Sequence, residues 1–195
     1  MAQTNWKNPQ PPVKNIYLTG FMCAGKTLSG RALARALRLP FRDSDLLLDK
    51  KTGAAPAALI KKKGLGAFRR LEAALVKELA ARSGQVIALG GGVYPSRRWA
   101  SLLKRTGVTV FLYCPWPELE GRLEAARTPR PLLAGPWEKA APRAKKLYAA
   151  RLKFYRRADI MVNTAGLTPV QAAAKTKKAL YKISEFTAEA QRERR

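Results

Sequence analysis

Residues 20–27 read GFMCAGKT, which fits the pattern GxxxxGK(S/T). They follow an apolar run at residues 16–19 that predicts a short buried strand, and they precede apolar residues at helical spacing. Glycines let the backbone close around an anion, Lys26 adds a positive charge, and the first turn of a helix offers N–H groups without helical partners. We therefore predict a phosphate cradle at this point, in preference to a glycine turn with a chance lysine.

The composition restricts the chemistry that the chain can perform. Its 195 residues, 47% of them hydrophobic, suit one domain with small inserted lids. The absence of histidine excludes Ser-His-Asp triads, histidine-ligated metals and an imidazole base. Any proton acceptor must then be a carboxylate, and the chain has only 13 acidic residues. Its two cysteines are too few for a disulfide scaffold.

The charge is strongly one-sided. The 38 Lys and Arg residues give a formal net charge of +25, which would attract anionic ligands and equally RNA. The basic residues are spread along the chain without an interleaved aromatic platform, a pattern that favours a generally solvated basic surface. Neither a run of eighteen apolar residues nor a secretory signal is visible, so we expect a cytoplasmic protein without a membrane span.

Strand and helix signals alternate along the chain and predict an α/β domain with a parallel sheet. We expect a flexible lead-in at residues 1–14, one domain at residues 15–182 and a charged flexible tail at residues 183–195. The predicted strands lie at residues 16–19, 41–45, 86–89, 108–113 and 159–163. One predicted helix ends near residue 38, a second spans 45–82 with breaks at Gly53, Pro56 and the turn at 64–66, a third starts at Pro95, and two more span 117–126 and 168–180.

Two carboxylates, Asp43 and Asp45, follow the second predicted strand, where open α/β sheets bind ligands. In an extended strand they would point the same way, so one could reach Mg²⁺ through water while the other meets a substrate hydroxyl. The alternative is a helix start, because Ser44 or Asp45 followed by leucines is a good capping sequence. The cradle favours the functional interpretation, since a bound nucleotide needs a metal partner nearby.

Three further segments carry candidate site residues. Arg69 and Glu72 are three positions apart on a predicted helix, and they form either a surface ion pair or a grip on a substrate carboxylate. The three glycines at 90–92 permit close backbone approach at a strand's end. The proline-stiffened loop at 127–136, with Arg130 at its centre, suits a lid that brings positive charge to phosphates when it closes.

The order of these motifs resembles that of the shikimate kinase family over about residues 15–180. The matching features are the cradle, Asp43-Ser44-Asp45, Phe68-Arg69 with Glu72, the three glycines, Arg130-Pro131-Leu132-Leu133, and Arg151 with Tyr155. The resemblance implies a three-layer α/β/α P-loop kinase fold with a five-stranded parallel sheet of order 2-3-1-4-5, a substrate-binding segment at about 44–82 and a lid at about 127–136. It also implies an enzyme of aromatic amino acid biosynthesis that uses ATP to convert shikimate to shikimate 3-phosphate. We expect the protein to be a monomer.

The resemblance assigns roles to the matched residues. Those expected to contact the nucleotide are Cys23, Ala24, Gly25, Lys26, Thr27, Leu28 and Arg130. Those expected to bind shikimate are Asp45, Arg69, Gly91 and Arg151. Catalysis would fall to Lys26, Asp45 as the base, and Arg130, while Thr27 would ligate Mg²⁺ and Asp43 would reach the ion through water. With this match, the carboxylate grip becomes the favoured interpretation of Arg69.

Three alternatives remain open from the sequence. Arg69 and Arg151 indicate a substrate with a carboxylate but do not identify its ring. The sequence is therefore also compatible with a kinase for another hydroxy acid such as gluconate. The charge would also suit a nucleotide-binding, RNA-interacting protein on the same fold. Finally, Cys23 lies inside the cradle near a helix start, where it is either an oxidisable thiol or an unreactive small residue.

Overall fold

A computed structural model describes residues 14–94, 97–126 and 135–192. Five strands of these residues form one parallel sheet with the order β2-β3-β1-β4-β5. They are β1 (Asn15–Thr19), β2 (Phe41–Asp43), β3 (Val86–Ala88), β4 (Gly107–Tyr113) and β5 (Ile160–Asn163). The predicted parallel sheet and its order 2-3-1-4-5 are therefore confirmed.

Helices connect the strands and cover both faces of the sheet. They are α1 (Lys26–Leu37), α2 (Ser44–Thr52), α3 (Pro56–Ala80), α4 (Arg97–Thr106), α5 (Trp116–Ala125), α6 (Trp137–Tyr155) and α7 (Pro169–Arg192). Among the described residues, no helix is both long and apolar enough to span a membrane.

The central strand β1 divides the core into two halves. It is buried along its whole length, as expected of a parallel strand covered on both faces. Ile16 and Leu18 belong to the half that α1 and α7 cover, together with Leu33 and Leu180. Tyr17 points to the opposite half, which α3, α5 and α6 cover. This alternation produces the three α/β/α layers that the resemblance implies.

Glycines end or bend the helices that lead to the site, as the sequence predicts. Gly53 follows α2 with φ +66°, and its N–H donates to the carbonyl of Asp49. Gly64 interrupts α3 with φ +79° and ψ 160°, a conformation outside the helical region. The predicted breaks near residues 53–56 and 64–66 are therefore present.

Two helices differ from the sequence prediction. Helix α6 was not predicted, because its buried positions are partly small residues, Ala140 and Ala144, and Pro142 interrupts the pattern. Helix α7 continues to Arg192, whereas the sequence predicted an end near Leu180 and a flexible tail from 183. Residues 181–192 contain neither glycine nor proline, so nothing in their sequence stops the helix. Residues 1–13, 95–96 and 193–195, and with them most of the expected lead-in, lie outside the described residues.

Candidate active site

The phosphate cradle is the loop between β1 and α1. Gly25 precedes α1 with φ +89°, and Cys23 also has a positive φ of 59°. These left-handed residues turn the backbone tightly into the first turn of the helix. The Lys26 ammonium donates hydrogen bonds to the carbonyl oxygens of Gly20 at 3.0 Å and Phe21 at 2.9 Å. A cationic group is therefore held over the loop beside the N-terminus of α1, which attracts anions.

Asp43 joins the cradle to α2. Its Oδ2 accepts a hydrogen bond from the Thr27 hydroxyl at 2.6 Å, while its Oδ1 accepts from the backbone N–H groups of Asp45 and Leu46 at 3.0 and 3.3 Å. Asp43 is thus the N-cap of α2, where the sequence had offered Ser44 or Asp45 for that position. The Asp43 side chain therefore caps α2 and contacts the cradle at the same time.

Asp45 lies in the first turn of α2, so the expected extended strand through residues 43–45 is wrong. The strand ends at Asp43 because that side chain caps the helix. Burial raises the pKa of the Asp45 carboxyl, Lys26 opposes the rise, and the nearby Asp43 and Glu72 carboxylates add to it. A raised pKa makes a carboxylate a better proton acceptor, provided that it remains ionised at the working pH.

The three glycines after β3 hold Asp45 and the acid-binding candidates around one short segment of backbone, which we call the glycine triplet, residues 90–92. A β-carbon placed on Gly90 would lie 2.6 Å from Oδ1 of Asp45 and 3.1 Å from Oε1 of Glu72. The distance of 2.6 Å to Asp45 is shorter than the van der Waals contact distance between a carbon and an oxygen atom. A side chain at position 90 would therefore displace the Asp45 carboxylate.

The other two glycines of the triplet lie next to the two arginines. A β-carbon on Gly92 would lie 2.7 Å from Nη2 of Arg69, and one on Gly91 would lie 3.5 Å from Nη1 of Arg151. Arg69 also forms an ion pair with Glu72. The structure thus brings Asp45, Arg69 and Arg151 together, although they are far apart in the sequence.

A cavity of about 520 Å³ extends from the cradle toward β5. All the predicted nucleotide contacts from Cys23 to Leu28 line it, as do Asp43 and Asp45. Arg69, Gly91 and Arg151 are outside this lining and lie around the glycine triplet. The triplet borders the cradle, because a β-carbon on Gly91 would lie 3.7 Å from the carbonyl oxygen of Gly20. The site therefore has two adjacent halves, and Asp45 belongs to both: it lines the cavity and lies against Gly90. Arg130 and the lid residues 127–134 lie outside the described residues.

The wall opposite the cradle was not identified from the sequence. It consists of Arg122 from α5 together with Thr164, Leu167 and Pro169 from the segment after β5. Glu118 holds the two parts of this wall together, since it pairs with Arg122 and accepts a hydrogen bond from the N–H of Gly166 at 3.0 Å. No local motif marks these residues, because each contributes to the wall only through the way β5 and α5 meet.

The first strand of the parallel sheet leads into a phosphate cradle, and a buried carboxylate and two arginines lie beside it. This combination indicates a P-loop kinase for a small acidic molecule. Comparison with known proteins narrows this class. The family model described as shikimate kinase matches residues 22–181. The chain belongs to the shikimate kinase family, which confirms the resemblance seen in the sequence.

Individual relatives agree with this assignment. A shikimate kinase of Thermodesulfovibrio yellowstonii is 36% identical, over 88% of this chain and 98% of the relative. One of Aquifex aeolicus is 37% identical, over 75% of this chain and 84% of the relative. The structure of a shikimate kinase from Acinetobacter baumannii, solved in complex with shikimate, has a TM-score of 0.81 and 33% identity, and the match covers 88% of this chain and 95% of that one.

Proposed function

We propose that the protein transfers the γ-phosphoryl group of ATP to the 3-hydroxyl of shikimate, with the residue roles given below. Family membership supports the ATP-dependent phosphorylation of shikimate that the sequence predicts, and it does not favour the gluconate kinase or the RNA-interacting protein. The observation that best supports the residue roles is the convergence of Asp45, Arg69 and Arg151 on the glycine triplet, next to the cradle.

The nucleotide half would bind the phosphates of ATP. Phosphate oxygens would replace the Gly20 and Phe21 carbonyls as acceptors for Lys26, and the N–H groups at the start of α1 would complete the cradle. The cavity continues from there to the wall around Arg122, which is the candidate position for the purine base. The predicted contacts of residues 23–28 are consistent with this orientation.

Thr27 and Asp43 fit a magnesium ion. Hydroxyl and carboxylate oxygens are the hard ligands that Mg²⁺ prefers, and these two lie next to each other beside the cradle. The Thr27 hydroxyl donates its proton to Asp43, so its lone pairs can face a cation. Bound Mg²⁺ would neutralise charge that develops on the phosphates during transfer.

The acceptor half would bind and activate shikimate. Arg69 and Arg151 would hold its carboxylate with charge-assisted hydrogen bonds, and the backbone at Gly91 would contact it. Asp45 would then accept the proton of the attacking hydroxyl, with Lys26 close enough to affect its pKa. Phosphoryl transfer depends mostly on positioning and charge neutralisation, which lysine, arginine and carboxylates can supply without histidine. Arg130 remains a prediction for the lid.

The test is the formation of ADP by the purified protein with Mg-ATP and shikimate. A rate no higher than that without shikimate would contradict the proposal, and a panel of acids including gluconate would expose a different acceptor. Asp45→Asn should lower kcat by about 10²- to 10⁴-fold while ATP still binds. Asp49→Asn is the matched control, because Asp49 lies one turn further along α2 and does not line the cavity. Near-normal turnover of Asp45→Asn would remove Asp45 from its role.

We also propose that a monomer is sufficient for activity, because the proposed site residues that the structure describes converge within one chain. Size-exclusion chromatography of the active protein would test this. A dimer or larger assembly as the only active species would contradict it.

A further inference from the structure

Tyr155 is the last residue of α6, and it lies beside the substrate half of the site. Its side chain is 0% exposed, and its ring stacks on Phe111 with 5.3 Å between centroids. Its hydroxyl donates a hydrogen bond to the carbonyl oxygen of Gly91 at 2.7 Å. Burial raises the pKa of this phenol to about 12, so the hydroxyl keeps its proton, and with it the hydrogen bond, over the working pH range.

This hydrogen bond has a counterpart on the other side of the glycine triplet. The N–H of Gly90 donates to the Ser44 hydroxyl at 2.8 Å. Ser44 lies between Asp43 and Asp45, so this bond ties the triplet to the start of α2. The triplet is thus anchored to α2 at Gly90 and to α6 at Gly91.

The anchor to α6 acts next to an arginine. Arg151 precedes Tyr155 by one helical turn, and both its guanidinium and the Tyr155 hydroxyl lie near Gly91: a β-carbon on that glycine would be 3.5 Å from Nη1 of Arg151 and 3.7 Å from the hydroxyl. The hydrogen bond therefore fixes the distance between the helix that carries Arg151 and the backbone that Asp45 and Arg69 contact. A displacement of α6 would separate the two arginines.

We propose that Tyr155 is a positioning residue for the acidic substrate: its hydroxyl holds the Gly91 peptide and Arg151 at the spacing that binds shikimate. This inference rests on the proposed function. Tyr155 itself does not need to touch the substrate. Its effect is transmitted through the Gly91 carbonyl, which would otherwise be left without this donor, and through the hydrogen bond between its hydroxyl and the Arg151 side chain.

A second tyrosine on α6 provides a matched control. Tyr148 lies two turns earlier, is also buried, and donates a hydrogen bond to the carbonyl of Cys114 at 2.9 Å. Tyr148→Phe and Tyr155→Phe therefore remove the same group and a hydrogen bond to a backbone carbonyl from one helix. The Tyr148 hydroxyl also hydrogen-bonds the side chain of Tyr113, and the Tyr155 hydroxyl that of Arg151. The two variants differ in which backbone segment loses its anchor: the end of β4 or the glycine triplet.

The experiment compares kcat, the KM for shikimate and the KM for ATP in the wild type and both variants. Tyr155→Phe should raise the KM for shikimate by about 10-fold, the effect of one lost hydrogen bond, and leave the KM for ATP within about twofold. Tyr148→Phe should leave the KM for shikimate within about twofold. An unchanged KM for shikimate in Tyr155→Phe, or equal rises in both variants, would overturn the proposal.

Ser44→Ala provides a second test that does not alter the core of α6. Because it removes the other anchor of the triplet, it should also raise the KM for shikimate more than the KM for ATP. No such difference would contradict the idea that the position of the triplet governs shikimate binding. Absence of shikimate-dependent ADP formation by the wild type would instead refute the proposed function, so the two failures are distinguishable.

Discussion

Replacing Gly92 by alanine should selectively weaken binding of the substrate acid. The added β-carbon would lie 2.7 Å from Nη2 and 2.8 Å from Cζ of Arg69, so the guanidinium has to move. The Arg69 side chain is 41% exposed and can swing outward without disturbing the core. The fold should therefore survive, while Arg69 moves away from both Glu72 and the substrate half of the site.

The size of the effect follows from the contact that is lost. A hydrogen bond to a charged group contributes about 1.5 to 3 kcal/mol. Since about 1.4 kcal/mol corresponds to a factor of ten, the KM for shikimate should rise by roughly 10- to 150-fold. The KM for ATP should stay within about twofold, because Arg69 does not line the nucleotide cavity.

The assay is steady-state ADP formation with each substrate varied in turn, together with thermal unfolding. Gly121→Ala is the matched control, because Gly121 lies inside α5 and a β-carbon there meets nothing within 4 Å. The control should keep both KM values and gain about 0.5 to 1 kcal/mol of stability from helix propensity. An unchanged KM for shikimate in Gly92→Ala, or parallel rises for both substrates, would refute the assignment of Arg69.

Asp45→Asn should stabilise the protein at any pH above the pKa of this carboxyl in the unfolded chain. Burial raises the pKa of Asp45 in the folded protein, so ionisation of Asp45 favours the unfolded chain as the pH rises, and asparagine removes this loss of stability. Thermal unfolding against pH should show a gain that disappears in acid; a loss at neutral pH would contradict this. Glu118→Gln should raise the KM for ATP several-fold and leave the KM for shikimate unchanged, because it removes the ion pair that holds Arg122 in the wall of the cavity. Equal changes in the two KM values would contradict this prediction. ATP should slow thiol labelling of Cys23, with buried Cys114 as internal reference; equal rates with and without ATP would show that Cys23 is not covered.

Local sequence patterns predicted those parts of the site that depend on neighbours in the chain. The cradle was recognisable because its glycines, lysine and threonine act within eight residues, and the same holds for the three glycines after β3. Asp43 and Asp45 were recognised as candidates by their position after a strand. Their geometry was not predicted, because a capping hydrogen bond and an extended strand are both compatible with the same letters.

The contacts that assemble the site join distant positions, and no local pattern reveals them. Ser44 and Gly90 are 46 residues apart, and Tyr155 and Gly91 are 64 apart. The sheet order decides which strand ends meet, and only the resemblance to a known family supplied that order in advance. The wall around Arg122 was missed for the same reason.

Because different residues form the two halves of the site, a new substrate specificity can evolve in one half while the other stays unchanged. In the proposed function the cradle and its wall bind the phosphate donor, while the groups around the glycine triplet bind the acceptor. If these roles hold, substitutions at positions such as 69, 72 and 151 would alter which acid is recognised without changing the residues that bind the donor. A protein engineer could keep residues 20–27 unchanged and search the acceptor positions alone for new substrates.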